Sequence, residues 1–243
     1  MSVLVAKHQE FNPSTKLDLV VEPFLVNNYS ASDFNGMIHG KVASKIYLED
    51  QVQRLGAIIV EHGLEEAVGV WRVHKHFDLT DGERVVGRFT NDSLIDVKVE
   101  STSGENQDDC VPTHYKFEAD GSATPMQFME KGGNLGSILS EKINSAFSEK
   151  PEFLPEFAAL INALGVHDRL GLALRWEFAL KDQCPGGVME NTMDGERTQT
   201  LFPLQLEENV WSGNTTMWTF EKGLGGAVVK KLNCSCGHTK LHC

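Results

Sequence analysis

The sequence contains no long apolar run. Its longest uninterrupted apolar stretches, such as residues 57–60 and 158–161, are far shorter than the ~20 residues that a membrane-spanning helix needs. Residues 1–9 have neither the cationic start nor the apolar segment of a secretory signal. We therefore expect a soluble, cytoplasmic protein with no membrane partner.

Basic residues are also scarce, because 22 Lys and Arg stand against 34 Asp and Glu, which gives a formal net charge of −12. An acidic surface repels the phosphate backbone of nucleic acids, so we expect no nucleic-acid partner. The sequence lacks the glycine-rich motifs of nucleotide sites and the G-x-S-x-G motif of a serine nucleophile. The five cysteines are an odd number, which favours reduced thiols over a disulfide framework.

The composition that remains is that of an ordinary globular protein, with 41% hydrophobic and 23% charged residues. Apolar residues recur every three or four positions in 44–62, and Gly63 follows them, which predicts a helix with a glycine at its end. Apolar stripes in 135–147 and 157–164 predict two more helices.

The remaining apolar segments alternate with a period of two, which predicts strands. These strands are 68–79, 84–89, 94–100, 113–118, 170–178, 198–206, 210–220 and 227–232. Asp81-Gly82 predicts a hairpin turn between the first two, and Pro185-Gly186-Gly187 predicts a loop over 184–191. The sequence therefore predicts an α+β fold: one domain over 1–233, with a mainly antiparallel sheet and about three amphipathic helices packed on it.

A histidine pair gives the first candidate site. His74 and His76 alternate on a predicted strand, so both imidazoles point to one face, about 6.6–6.8 Å apart along the chain. If the strand at 113–118 is a neighbour, His114 joins them, and the three can hold a divalent metal or act in acid–base catalysis. Glu83 is a further candidate. The alternative is that these residues form the solvent-exposed face of a sheet.

The spacing Gly69-x₄-His74-x-His76, with Glu83 downstream, has a partial similarity to the metal motif of the cupin family. Glu83 stands farther from the second histidine than the carboxylate of that family does, and no second half of the motif follows. We therefore carry over no ligand from it.

The last ten residues, 234–243, give the second candidate site. They hold five of the 14 residues that are Cys or His, namely Cys234, Cys236, His238, His242 and Cys243. Thiolate and imidazole are ligands that suit Zn²⁺, although zinc sites usually separate two ligand pairs by a longer loop. The alternative is a flexible terminus whose metal-binding side chains are incidental.

Three hypotheses for function follow. The first is a soluble protein with a His-lined, metal-dependent small-molecule site on a β-sheet, in which His74, His76, His114 and Glu83 are ligands or acid–base groups. The second is a non-catalytic binding or interaction module whose Cys/His-rich tail binds a divalent metal such as zinc. The third is a ligand pocket between sheet and helices without any chemistry.

Overall fold

The computed structural model describes residues 26–91, 94–103, 109–131, 147–175, 188–193, 195–203, 214–224 and 228–238. The strands are β1 (Val68–Arg72), β2 (Glu83–Asn91), β3 (Leu94–Ser101), β4 (Cys110–Phe117), β5 (Ala123–Glu130), β6 (Leu170–Leu174), β7 (Val188–Met193), β8 (Thr198–Pro203), β9 (Asn214–Lys222) and β10 (Val228–His238). The helices are α1 (Ala31–Asn35), α2 (Gly40–Ala43), α3 (Glu49–Glu61) and α4 (Phe153–Ala163).

The ten strands form a closed barrel in the order β1-β6-β4-β5-β2-β3-β8-β7-β10-β9. Neighbours are antiparallel except for two parallel pairs, β2–β5 and β7–β10. The barrel closes where β1 pairs with β9, with Val70 opposite Trp218 and Trp71 opposite Met217. The expectation of a mixed fold dominated by a mostly antiparallel sheet is confirmed, and the closure of that sheet into a barrel is new.

The wall of the barrel has two buried sides where the longer helices cover it. β1 and β6 are buried at every position, and α3 packs against β1 and against α4. Strands buried on both sides read as continuous apolar runs, as these two do. β3 shows the other pattern: Ile95 and Val97 are buried, whereas Lys98 is exposed.

α3 packs against the barrel at its seam. Its buried residues recur three or four positions apart, and one of them is Gly56, which lets Phe220 of β9 approach the helix backbone closely. A Cβ atom at Gly56 would lie 2.1 Å from the Cε1 atom of Phe220. Phe220 is almost fully buried, so its ring has little space in which to move away.

The helix predictions are confirmed in part. The helix predicted at 44–62 is α3, and the one predicted at 157–164 is α4, which is followed by Gly165 with φ +65°. The helix predicted at 135–147 lies outside the described residues except for its last position. The expected number of about three helices is not confirmed, because two of the described helices are long and α1 and α2 are short.

One predicted hairpin and the end of one predicted loop are wrong. Asp81-Gly82 does form a turn, with Gly82 at φ +79°, but β1 pairs with β6 and β9, whereas β2 pairs with β3 and β5. The turn is therefore no hairpin between the two strands. The loop predicted over 184–191 is also wrong at its end, because β7 begins at Val188. Within the described residues, no helix is long and apolar enough to cross a bilayer.

We predict that Gly56→Ala destabilises the protein by about 1–3 kcal/mol, because the added methyl group overlaps a buried ring in a packed interface. The free energy of unfolding from urea denaturation measures the effect. Gly195→Ala is the matched control, since a Cβ atom there meets nothing within 4 Å. Equal stability of the two variants would contradict the packing of α3 described above.

Candidate metal centre

His74 and His76 lie just beyond the end of β1, inside the protein. The strand predicted over 68–79 ends at Arg72, and only Lys75 continues the pairing, through a parallel bridge to His39. His74 is 4% exposed and His76 is 5% exposed. The alternative that these histidines belong to a solvent-exposed sheet face is therefore wrong.

The two imidazoles meet each other and a carboxylate. The Nε2 atoms of His74 and His76 are 3.0 Å apart, and Nε2 of His76 is 2.7 Å from Oε1 of Glu190. Bonds of about 2.1 Å to a tetrahedral zinc ion put the donor atoms about 3.4 Å apart, so a shift of a few tenths of an ångström would open these contacts for an ion. These three side chains could therefore hold a metal ion, and they are the group of donors that the described residues bring within reach of one ion.

Glu190 was missed by the sequence analysis. It lies on β7, in a segment predicted to be a loop because of the preceding Pro-Gly-Gly, and it is only 8% exposed. The Thr192 hydroxyl donates to its Oε1 at 3.2 Å. The one signal in the sequence was the alternation of Glu190 and Thr192 with Met189 and Met193, which is weak because both sides of the strand are mixed.

The protonation of His74 follows from its backbone contact. Its Nδ1 atom is 2.6 Å from the carbonyl oxygen of Arg72, which can only accept, so Nδ1 carries the proton. In the neutral imidazole, Nε2 then presents a lone pair to His76. A donor hydrogen bond from the far ring nitrogen to a backbone carbonyl is the usual support of a metal-ligating histidine.

Burial keeps His74 neutral. Loss of solvent, and then the adjacent His76, lower the pKa of His74 to about 4, although the negative charge of Glu190 acts in the opposite direction. A neutral imidazole is the form that binds a metal, so the lone pair on Nε2 is present at neutral pH.

His74 and Glu190 line a cavity of about 40 Å³ whose wall is built by residues of eight strands, so it lies inside the barrel. Its apolar side includes Trp71 and Met217, and its polar side includes Gln199. A single buried water needs roughly 10–15 Å³, so this space suits a few small groups and not a large organic molecule.

His114 lies in the same cavity, although its strand is not a neighbour of the strand that precedes His74. β6 stands between β1 and β4, so the two histidine-bearing segments are not neighbours. The imidazole of His114 still reaches the interior and packs edge-on against Trp71, with 5.0 Å between ring centroids. His114 does not belong to the group of three donors found among the described residues.

Glu83 lies apart from the three donors, in an ion pair with Arg197. Arg197 donates to both carboxylate oxygens, and the backbone NH of Thr80 donates to Oε2 at 2.7 Å. The hydrogen bonds from Arg197, and then that from Thr80, lower the pKa of Glu83 to about 2. The catalytic roles predicted for His74, His76, His114 and Glu83 stay predictions.

The Cys/His-rich segment begins within the sheet. The backbone of Cys234, Cys236 and His238 belongs to β10, and Cys236 is in register with Glu190 of β7. His242 and Cys243 lie outside the described residues. Metal binding by these five residues stays a prediction.

Residues 38–40, where α2 begins, close over the histidine pair. The NH of Lys75 donates to the carbonyl of Ile38, and the NH of Gly40 donates to the carbonyl of Lys75, both at 2.9 Å. A Cβ atom at Gly40 would lie 2.9 Å from Cδ2 of His74 and 3.2 Å from Cε1 of His76. Glycine at this position therefore lets the segment approach the imidazoles.

We predict that Gly40→Ala displaces the imidazoles and weakens the binding of a metal ion added to the protein by about 10- to 100-fold, the usual cost of disturbing the support of metal ligands. Competition with a chelator of known affinity measures the dissociation constant. Gly195→Ala should leave that constant unchanged. Unchanged metal binding by Gly40→Ala would contradict the close approach at this glycine.

A second prediction concerns the metal-free protein in acid. Burial lowers the pKa of His114 from its ordinary 6.5 to about 3, so below pH 6.5 the unfolded chain takes up a proton that the folded chain refuses until pH 3. The free energy of unfolding therefore falls as the pH falls through this window. His114→Phe should reduce the slope by up to about 1.4 kcal/mol per pH unit.

Urea denaturation in EDTA between pH 7 and pH 4 measures this slope. His74 adds a similar contribution with a lower limit near pH 4, so the variant should retain part of the dependence. Parallel curves of unfolding free energy against pH for the wild type and the variant would show that the pKa of His114 is not lowered in the folded protein.

Comparison with known proteins gives no match. No family model matches the sequence, and no curated protein and no solved structure is significantly similar to it. Function is therefore argued from the chemistry of the site and not from similarity of fold.

Proposed function

We propose that this protein binds a divalent metal ion through His74, His76 and Glu190 and uses it to hold a small molecule in the barrel cavity. The observation that supports the proposal is that two imidazole nitrogens and a carboxylate oxygen meet beside that cavity. The His74 and His76 nitrogens are 3.0 Å apart, and the His76 nitrogen is 2.7 Å from the Glu190 oxygen. Only the centre of this arrangement, the His76 Nε2 atom, touches both other donors.

The donor set favours a cation over a proton at its centre. Nε2 of His74 and Oε1 of Glu190 are both acceptors, and both face Nε2 of His76. A proton on that atom can be donated well to only one of them. A metal ion can accept an electron pair from each of the three donors, which lie within 4.8 Å of one another.

Two histidines and one glutamate are a ligand set typical of catalytic zinc, and also of iron(II) with open positions. We propose zinc as the first candidate. With one carboxylate ligand a divalent ion keeps a net positive charge, so its open positions attract an oxygen or nitrogen atom that is negative or polarised. When bound, the ion supplies Lewis acidity toward such a ligand.

The chain itself determines the size and environment of the ligand. The cavity of about 40 Å³ admits a molecule of a few non-hydrogen atoms. Trp71 and Met217 form apolar walls, and the burial of both histidines excludes bulk water from the ligand atoms. Electrostatic attraction between ion and ligand is stronger in such surroundings than in water.

Elemental analysis of untagged, purified protein tests the proposal. We expect about one metal ion per chain in the wild type and a loss of metal in Glu190→Gln, which keeps the shape of the side chain but removes its charge. His74→Gln should also lose metal. Thermal unfolding of each variant, with and without added zinc, separates a loss of binding from a loss of folding, because only a binding variant gains stability from the metal.

Matched controls lie elsewhere on the chain. His62→Gln removes a histidine that pairs with Glu156 at 2.9 Å between α3 and α4, and Glu83→Gln removes a carboxylate from the Arg197 pair. Both should retain the metal. Loss of metal in these controls, or its retention in Glu190→Gln and His74→Gln, overturns the assignment.

The Cys/His-rich segment is tested separately. Removal of residues 239–243 leaves β10 intact, whereas removal from residue 234 would cut a strand that pairs with both β7 and β9. The shortened chain and Cys234→Ser/Cys236→Ser should retain the metal if the barrel site binds it. Loss of metal in these chains alone would favour the interaction module with a metal-binding tail.

A further inference from the structure

We infer that His114 accepts a hydrogen bond from the small molecule bound at the His74–His76–Glu190 ion, so that the cavity prefers ligands that carry an NH or OH group. This inference rests on the proposed function. It assigns a ligand class, small protic molecules, and gives His114 a role that is distinct from metal binding.

The local backbone turns His114 into the cavity. The pairing of β4 with β5 shifts register on both sides of His114, between Pro112 and His114 and between His114 and Tyr115. Successive residues of a regular strand point to opposite faces, yet both Thr113 and His114 line the cavity. Irregularities of this kind re-aim a side chain, and they are frequent beside binding sites.

Contacts fix the orientation and the tautomer of the ring. The Thr113 hydroxyl is 3.3 Å from the carbonyl oxygen of Gln127, to which it donates, and its oxygen is 3.1 Å from Nδ1 of His114. We assign the hydroxyl proton to the carbonyl oxygen, which can only accept, and Nδ1 of His114 then donates to the hydroxyl oxygen. In the neutral ring the other nitrogen, Nε2, is then an acceptor.

Burial supports the neutral form. Loss of solvent lowers the pKa of His114, and the negative charge of Glu190 opposes this effect only in part. The ring therefore offers a lone pair at neutral pH. Trp71 contacts the rings of both His114 and His74, at 5.0 and 6.2 Å between centroids, and all three side chains line the same cavity.

The acceptor on His114 favours ligands that carry a hydrogen-bond donor. A ligand atom bound to the ion is negative or polarised, and a group attached to it that carries hydrogen meets an acceptor on the cavity wall. A ligand without hydrogen meets a lone pair, which repels it. The loss of one buried hydrogen bond usually costs a factor of about 10 in affinity.

Two linear probes of equal length separate these cases. Cyanamide carries hydrogen on a terminal nitrogen, and azide carries none. We load the full-length protein with cobalt(II), whose visible spectrum reports ligand binding, and titrate each probe against wild type, His114→Phe and His114→Gln. His114→Phe keeps a ring without an acceptor, and His114→Gln restores an acceptor oxygen.

We expect His114→Phe to bind cyanamide about tenfold more weakly than the wild type while azide binding stays equal or strengthens. His114→Gln should recover most of the cyanamide affinity. The ratio of the two affinities is the readout, because general damage to the cavity weakens both probes together.

The failures are distinguishable. If cobalt does not bind the wild type, the proposed metal site is wrong and this inference falls with it. A second outcome is that cobalt binds the wild type and fails to bind Glu190→Gln. If the ratio of cyanamide affinity to azide affinity is then the same in the wild type and both His114 variants, only the role of His114 is wrong. Absence of any spectral change with either probe also overturns the inference, since the cavity then admits no such ligand.

Discussion

The pairing of β1 with β9 is the constraint on which the site depends. Only two residue pairs close the barrel there, Val70 with Trp218 and Trp71 with Met217. Arg72 reinforces the seam: its guanidinium donates to the carbonyl oxygens of Ala43 and Thr215 and lies 5.1 Å from the ring centre of Trp218. Because β1 carries the histidine pair at its end, and β7 stands three strands away across this seam, closure brings the imidazoles to Glu190.

Closure also explains why so much polarity can be buried. Inside a barrel the backbone is fully paired, so the side chains alone determine whether the interior is polar or apolar. Here His74, His114 and Glu190 share a wall with Trp71 and Met217. Each of these polar groups has a fixed partner, such as Arg72 for His74 and Thr113 for His114. Buried polar groups held in this way stay in one arrangement, which a ligand site requires.

Local patterns in the sequence predicted those features that depend on residues close together in the chain. The alternation of His74 and His76 was correct in bringing two imidazoles together, and the apolar spacing gave α3 and α4. The role of Glu190 could not be predicted, because its contact with His76 depends on the order of strands around the barrel. The spacing of residues along the chain does not reveal that order. The same reason explains the wrong hairpin: Gly82 permits a turn, but the pairing of β1 is decided by distant strands.

The donors come from the two sides of the seam, and this couples two equilibria. A ligand that binds only the folded form stabilises it by mass action, by about 2.7 kcal/mol at a hundred times its dissociation constant. An ion held by His74, His76 and Glu190 would thus link the end of β1 to β7 across the β1–β9 pairing. The stability of the barrel would then depend on the metal concentration, and the chain would unfold more readily without its ion.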